Sequence, residues 1–233
     1  MTNMVDNPVA HVLAADIDRG KSASGPNIKD SFYRRIAKRP LDIALILISL
    51  PIVIPLMAIL ATCVMMDGGA PFFGHNRIGR NGKPFRCWKL RSMVPHAEKR
   101  LKDFLTENPD AQEEWDANFK LANDPRITRL GRFLRKSSLD EFPQLWNIIR
   151  GEMSIVGPRP VTRDELVMYG SNLPFYEGLR PGLTGLWQIS GRNDVSYSER
   201  VEFDVEYAKT FDLMMDIRII LGTFKAVLSR TGR

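Results

Sequence analysis

The sequence predicts a mainly α-helical chain with minor β structure, held in one leaflet of a membrane by a re-entrant helix–break–helix and carrying a globular domain on the cytoplasmic side. Three observations predict it. Residues 43–66 run from Ile43 to Met66 without a charge. Basic residues flank that run on both sides: Arg34, Arg35, Lys38 and Arg39 before it, Arg77, Arg80 and Lys83 after it. Two prolines, Pro51 and Pro55, interrupt it.

The elements follow in order. Residues 1–30, rich in Asn, Asp, Ser, Gly and Pro without periodicity, predict a flexible tail. No charged segment followed by an apolar stretch is found there, so the tail is not a signal peptide. Asp16-Ile17-Asp18 imitates a metal-binding pair, and Gly20-Lys21-Ser22 imitates the end of a phosphate loop. That loop needs Gly at position 15, where Ala15 stands. Residues 31–70 form the basic flank and the membrane segment. As one helix, 43–66 would be about 36 Å long, enough to cross a hydrocarbon core of about 30 Å. The prolines argue against a straight crossing, because each removes an N–H and leaves the carbonyls of Leu47 and Pro51 without those partners. Ser49 is the polar group at hand. Short flanks rich in Lys and Arg stay on the cytoplasmic side, and here both flanks are basic. Two arms, 43–50 and 56–66, would be about 12 and 16 Å long, each about half a core.

Residues 71–233 form the globular domain. The Gly-spaced stretch 71–95, with alternation through Phe85-Arg86-Cys87-Trp88-Lys89-Leu90, predicts a strand or hairpin. Residues 96–122 predict charged helix, interrupted at Pro109, and 126–150 predict two helical pieces. Gly151–Pro160 and Arg180–Asn193 read as Gly/Pro-rich loops. From Ser196 the pattern is helical again. Leu213, Met214, Ile217, Ile220, Leu221, Phe224, Val227 and Leu228 mark either a core helix or one lying on a membrane surface.

Composition narrows the chemistry. Among 233 residues, Lys+Arg 33 against Asp+Glu 27 give a net charge of +6, which points to anionic partners. Cys63 and Cys87 cannot build a disulfide scaffold, and His11, His75 and His96 are too scattered for a zinc site. Carboxylates, hydroxyls, Arg and Lys remain. In Arg135-Lys136-Ser137-Ser138-Leu139-Asp140-Glu141, Ser138-x-x-Glu141 fits a capping box. The same helix start, beside Arg135 and Lys136, is also suited to an anion. A carboxylate placed there against phosphate could act as a nucleophile once a cation neutralises both charges. Mg²⁺ suits that role, since it takes one or two carboxylates plus phosphate oxygens. Gly157-Pro158-Arg159-Pro160 fixes a guanidinium between two prolines, for phosphate or for a rigid turn. Arg180-Pro181-Gly182-Leu183-Thr184-Gly185-Leu186-Trp187-Gln188, ending at Gly191-Arg192-Asn193, lets backbone approach a ligand, with Trp187 for stacking or core.

Together these blocks resemble one family, the bacterial sugar transferases, or monotopic polyprenol-phosphate phosphoglycosyl transferases. The matching residues are Lys38-Arg39-Pro40-Leu41-Asp42, Asn76-Arg77-Ile78-Gly79, Lys89-Leu90-Arg91-Ser92-Met93, Leu139 to Asn147, Gly151 to Pro160, Arg180 to Gly185 and Gly191-Arg192-Asn193. The resemblance covers about residues 33–230 and looks like the short exopolysaccharide type, similar to undecaprenyl-phosphate galactose phosphotransferases. It implies transfer of a phospho-sugar from a UDP-sugar to undecaprenyl phosphate, with release of UMP, through a covalent aspartyl intermediate. By motif, Asp140 is implied as nucleophile and Glu141 as its partner, both on Mg²⁺. Arg135 and Arg159 are implied as phosphate ligands, Lys89 and Arg91 as weaker substrate contacts, and Arg180 and Arg192 as part of loops that meet the nucleotide. The implied location is the cytoplasmic face of the inner membrane, among its lipids and without nucleic acid. Downstream glycosyltransferases and a homo-oligomer are left open, as is the identity of the sugar. The family's membrane break carries Ser-Pro; here Ile54 precedes Pro55. The rival readings are a non-enzymatic membrane-anchored scaffold, in which Asp140-Glu141 only caps a helix, and a basic nucleic-acid-binding protein, which has no use for the run at 43–66.

Overall fold

The computed structural model describes residues 31–118, 121–190 and 195–228. The N-terminal tail with its two look-alike motifs, and Gly191-Arg192-Asn193, lie outside the described residues.

Helix α1, Lys38–Met65, follows a π-helical turn, Tyr33–Ala37. It carries Pro51 and Pro55 within one continuous helix, where the sequence led us to expect a break between two arms. The reason is geometric. Proline's fixed φ of about −65° suits a helix, so each ring removes a hydrogen bond while the helical conformation continues through it. Both prolines lie on the exposed face. Ser49 serves neither freed carbonyl; its hydroxyl donates to the Ile46 carbonyl at 2.7 Å. The helix is long and apolar enough to cross a membrane, and 11% of its apolar window is buried.

That buried minority is one stripe. Asp42 and Ile46 near one end, and Leu60 and Val64 near the other, are buried, while Leu47, Ile48, Ile52, Ile54 and Ile59 are exposed. Ile46 packs with Phe85, Ile148 and Met153. Leu60 and Val64 pack with Leu90 and Leu134. The two halves of α1 therefore dock on the same body.

The remaining elements build that body. Strands β1, Phe72–Ile78, and β2, Pro84–Leu90, form the expected antiparallel hairpin. Helices α2, Ala97–Glu107, and α3, Pro109–Asn118, divide at Pro109 as the sequence predicts, with the proline opening the second helix, where its missing N–H costs nothing. The two pieces at 126–150 are α4, Arg129–Ser137, and α5, Gln144–Arg150. Short α6, Leu173–Glu177, and α7, Leu186–Ser190, precede α8, Tyr197–Thr210, and α9, Leu213–Leu228.

The described parts of the two Gly/Pro-rich stretches contain strands where the sequence predicts loops. Ser154–Val156 (β3) and Gly182–Thr184 (β4) pair as parallel strands. Their glycines serve packing. A Cβ on Gly157 would lie 2.4 Å from the Arg180 carbonyl oxygen, and one on Gly182 would lie 2.1 Å from the Gly157 nitrogen. Short strands with so little apolar alternation leave no periodic signal in the sequence.

Candidate active site

The turn between α4 and α5 carries the two acids. Ser138 adopts a left-handed conformation, φ 56°, which stops α4 and redirects the chain into a single 3-10 turn, Leu139–Glu141. Ser138 makes no side-chain cap, so the Ser138–Glu141 capping box expected from the sequence is not formed. The capping box occurs instead at Ser196–Glu199, opening α8. Leu139 packs into the cluster of Leu60, Val64, Leu90 and Leu134, which fixes the turn against the second half of α1. Behind it, Asn147 of α5 donates to the Arg86 carbonyl at 2.7 Å and accepts from the Trp88 N–H at 3.1 Å, locking α5 to β2.

This frame brings Lys89 of β2 against both acids. Its Nζ lies 2.6 Å from Glu141 Oε1 and 3.7 Å from Asp140 Oδ2. Asp140 is buried. Burial pushes its pKa up to about 6, Lys89 and Arg135 pull it down, and the charge of Glu141 adds to the rise. Burial opposes the charge on Lys89, but Glu141 and Asp140 outweigh it and hold its pKa above the usual value. Arg135, in the last turn of α4, donates through Nε to Ser92 Oγ at 2.9 Å. Ser92 was unremarkable in the sequence beyond its place after Lys89-Leu90-Arg91; it orients the guanidinium. A Cβ on Gly131 would lie 1.9 Å from the Ser92 carbonyl oxygen, so glycine there lets α4 reach it.

The other expected site residues stand elsewhere. Arg91 is engaged by three carbonyls, those of Val64 at 2.8 Å, Ala70 at 2.9 Å and Met93 at 3.3 Å, and so caps the end of α1. Arg159 belongs to a second cluster, with its guanidinium 5.8 Å from the Trp187 ring centre and Arg200 at 4.9 Å from the same ring. Arg180 donates through Nε to the Gly151 carbonyl at 2.8 Å. Arg192 lies outside the described residues.

The donor set suits a hard cation only in part. Among the described residues no group of three or more His, Cys, Asp or Glu side chains gathers. Asp140 and Glu141 supply two carboxylates, and Lys89 faces one oxygen of each. Mg²⁺ is ordinarily held by one or two carboxylates with phosphate oxygens completing the shell, so the pair fits a metal that arrives with a phosphorylated substrate.

A buried polar network also escaped the sequence. Lys38 Nζ lies 2.6 Å from Asp216 Oδ2, Tyr207 donates to Asp216 Oδ1 at 2.7 Å, and Ser154 donates to Asp42 Oδ2 at 2.5 Å. It ties the first turns of α1 to β3, α8 and α9. Lys38 and Asp42 are read in the sequence as parts of a basic flank and a family block; their partners lie too far along the chain for spacing to show.

The bacterial sugar transferase profile matches residues 33–230. The "Exopolysaccharide production protein ExoY" of Rhizobium meliloti is 54% identical over 198 residues, 84% of this chain and 88% of that protein. The "UDP-galactose-lipid carrier transferase" of Erwinia amylovora is 52% identical, and the "Undecaprenyl-phosphate galactose phosphotransferase" of Salmonella typhimurium 51% identical, each over 85% of this chain. The chain spans 42% of the length of each of these two relatives. It belongs to the bacterial sugar transferase family.

Proposed function

We propose that this bacterial sugar transferase moves a sugar phosphate from a UDP-sugar to undecaprenyl phosphate and releases UMP, with Asp140 as the covalent nucleophile. The observation that carries the reading is a buried aspartate on a fixed turn that shares a lysine with a second carboxylate. Relatives whose names include a UDP-sugar or undecaprenyl phosphate support the substrate class.

In the first step a carboxylate oxygen of Asp140 attacks the sugar-bearing phosphorus. The bond from that phosphorus to the UMP oxygen breaks, and UMP leaves. In the second step an oxygen of undecaprenyl phosphate attacks the same phosphorus and displaces Asp140, which returns as a free carboxylate. Lys89 keeps Asp140 ionised by lowering its pKa against burial. Arg135, oriented by Ser92, supplies positive charge to the transferring phosphate. Mg²⁺ held by Asp140 and Glu141 would neutralise charge on the phosphates as it develops.

The acceptor's tail keeps its phosphate at the bilayer surface, so the turn has to sit there. The docking of both halves of α1 on one body supports a monotopic, re-entrant placement in which the exposed face of α1 meets hydrocarbon and both flanks stay in the cytoplasm. Exposed Phe133 and Trp146, on the helices flanking the Asp140 turn, suit the interface. The test is UMP release from UDP-galactose and UDP-glucose, with and without undecaprenyl phosphate. Sustained release that requires the polyprenol phosphate supports the reading; a scaffold protein would release none.

A further inference from the structure

A cavity of about 660 Å³ lies where the start of α1 meets α8 and the β3 edge. Arg34, Arg35, Lys38, Arg39, Arg80 and Arg180 line it, with Asp42 as the one carboxylate among its lining residues. That carboxylate is already engaged, accepting from Ser154 Oγ at 2.5 Å and lying 3.7 Å from Lys38 Nζ. Lys38 is also paired with Asp216, at 2.6 Å from its Oδ2, so the cations that bear on a ligand are Arg39, Arg80 and Arg180. Three of the arginines are positioned by backbone carbonyls, Arg34 by those of Phe211 at 2.9 Å and Ala208 at 3.2 Å. Arg39 donates to the Ile149 carbonyl at 3.1 Å, and Arg180 donates through a single nitrogen, Nε, to the Gly151 carbonyl. Burial and the nearby charges of Arg80 and Arg39 lower the pKa of Arg180 and outweigh the opposing pull of Asp42, so these guanidiniums crowd one another.

The cavity is not the Asp140 site. Asp140 precedes the first turn of α5, whereas Arg39 bonds the carbonyl of Ile149 in its last turn. Seven residues of helix separate the two places, about 10 Å. Its surroundings are amphiphilic. Phe32 and Ile36, which flank the lining arginines in the chain, are exposed, as are Leu213 and Met214 just after the lining residue Phe211. A ligand with a phosphate in the cavity could lay hydrocarbon along these side chains.

We propose that this cavity is a second anion site, which takes the headgroup phosphate of an anionic membrane lipid and fixes the start of α1 at headgroup level. Arginines held at one edge by carbonyls present their remaining N–H groups to phosphate oxygens, and basic residues beside a membrane segment gain from anionic lipid. The site needs no assumption about phosphosugar transfer.

The test uses the full chain in neutral detergent, with phosphatidylglycerol or phosphatidylcholine added and retained lipid counted by native mass spectrometry. Phosphatidylglycerol should be retained at least about tenfold better. Arg39→Gln combined with Arg80→Gln should cut that retention by about tenfold or more, on the scale of a lost charge-assisted contact. Asp140→Asn should retain the lipid as the wild type does, which separates this site from the transfer chemistry. Glycerol 3-phosphate at equal concentration should not displace the lipid. If it does, the ligand is a soluble phosphate ester and the lipid assignment fails. Equal retention of the two lipids, or unchanged retention by the double variant, overturns the anion site.

Discussion

Lys38 Nζ lies 2.6 Å from Asp216 Oδ2, joining the first turn of the apolar helix to α9, the last helix among the described residues. Both side chains are largely buried, and Tyr207 donates to the second oxygen of Asp216 at 2.7 Å. The pair holds one end of a membrane segment to the body that carries the Asp140 turn. Breaking a buried pair by removing one partner costs about 3–5 kcal/mol, because it strands the other charge. Asp216→Ala should therefore lower the melting temperature in detergent sharply. Lys38→Met with Asp216→Leu should cost less than the sum of the single changes. Additive losses would show that the two residues do not act as a pair.

The pKa of Asp140, raised to about 6 by burial, has a signed consequence for stability. A carboxyl that binds its proton more tightly folded than unfolded makes the fold gain stability as pH falls through about 6 toward the ordinary carboxylate range. At neutral pH the ionised group costs stability. Asp140→Asn removes that cost, so the variant should melt higher at pH 7.5, by at most about 3 kcal/mol, and the difference should shrink at pH 5. A variant less stable at neutral pH would contradict the assignment.

Lys89 sets the pH dependence of the same group. The nucleophile must be ionised, so kcat/KM should rise with pH through about 6. Lys89 lowers the pKa of Asp140. Lys89→Met should move the ascending limb to higher pH, besides lowering the plateau. An unmoved limb would assign it to another group.

Arg159 gives a sharper test of role than of place. Its side chain keeps company with Trp187 and Arg200 and makes none of the contacts that hold Lys89 and Arg135 at Asp140. Arg159→Lys keeps the charge but loses the planar fork. If the guanidinium binds a reacting phosphate, kcat should fall by about 10²–10³. A rate within a few-fold of wild type would make Arg159 a structural residue of the Gly157–Pro160 turn.

Topology follows from the docking of α1. A cysteine introduced at Ser31 should stay unlabelled by a membrane-impermeant reagent on cells with a permeabilised outer membrane. Strong labelling would make α1 a simple spanning anchor. Replacing Pro51 and Pro55 with Leu should restore two helix bonds and allow some molecules to span, giving a mixed labelling pattern.

The legible parts of this chain were those written in local pattern. The apolar run, the hairpin and the division at Pro109 all follow from composition and spacing. The prolines marked where helix bonds are lost but not a gap in the helix, since α1 runs on through both. The capping box at Ser138 misled because a left-handed residue ends α4 there, and nothing in a single sequence announces that angle. Arg91, implied by the resemblance as a weaker substrate contact, is engaged by the carbonyls of Val64, Ala70 and Met93, partners that sequence spacing does not reveal. Lys38 with Asp216, and Asp42 with Ser154, pair across more than a hundred positions, beyond the reach of any window.

The central claim is that Asp140 carries the phosphosugar. The direct measurement is intact mass of the protein after mixing with UDP-galactose or UDP-glucose and no polyprenol phosphate. One of the donors should add a sugar phosphate to the wild type, with one UMP released per adduct, and peptide mapping should place it on Asp140. Undecaprenyl phosphate should discharge it, and Asp140→Asn, still folded, should never acquire it. An active enzyme that forms no adduct, or an Asp140→Asn variant with near-normal turnover, would contradict the account.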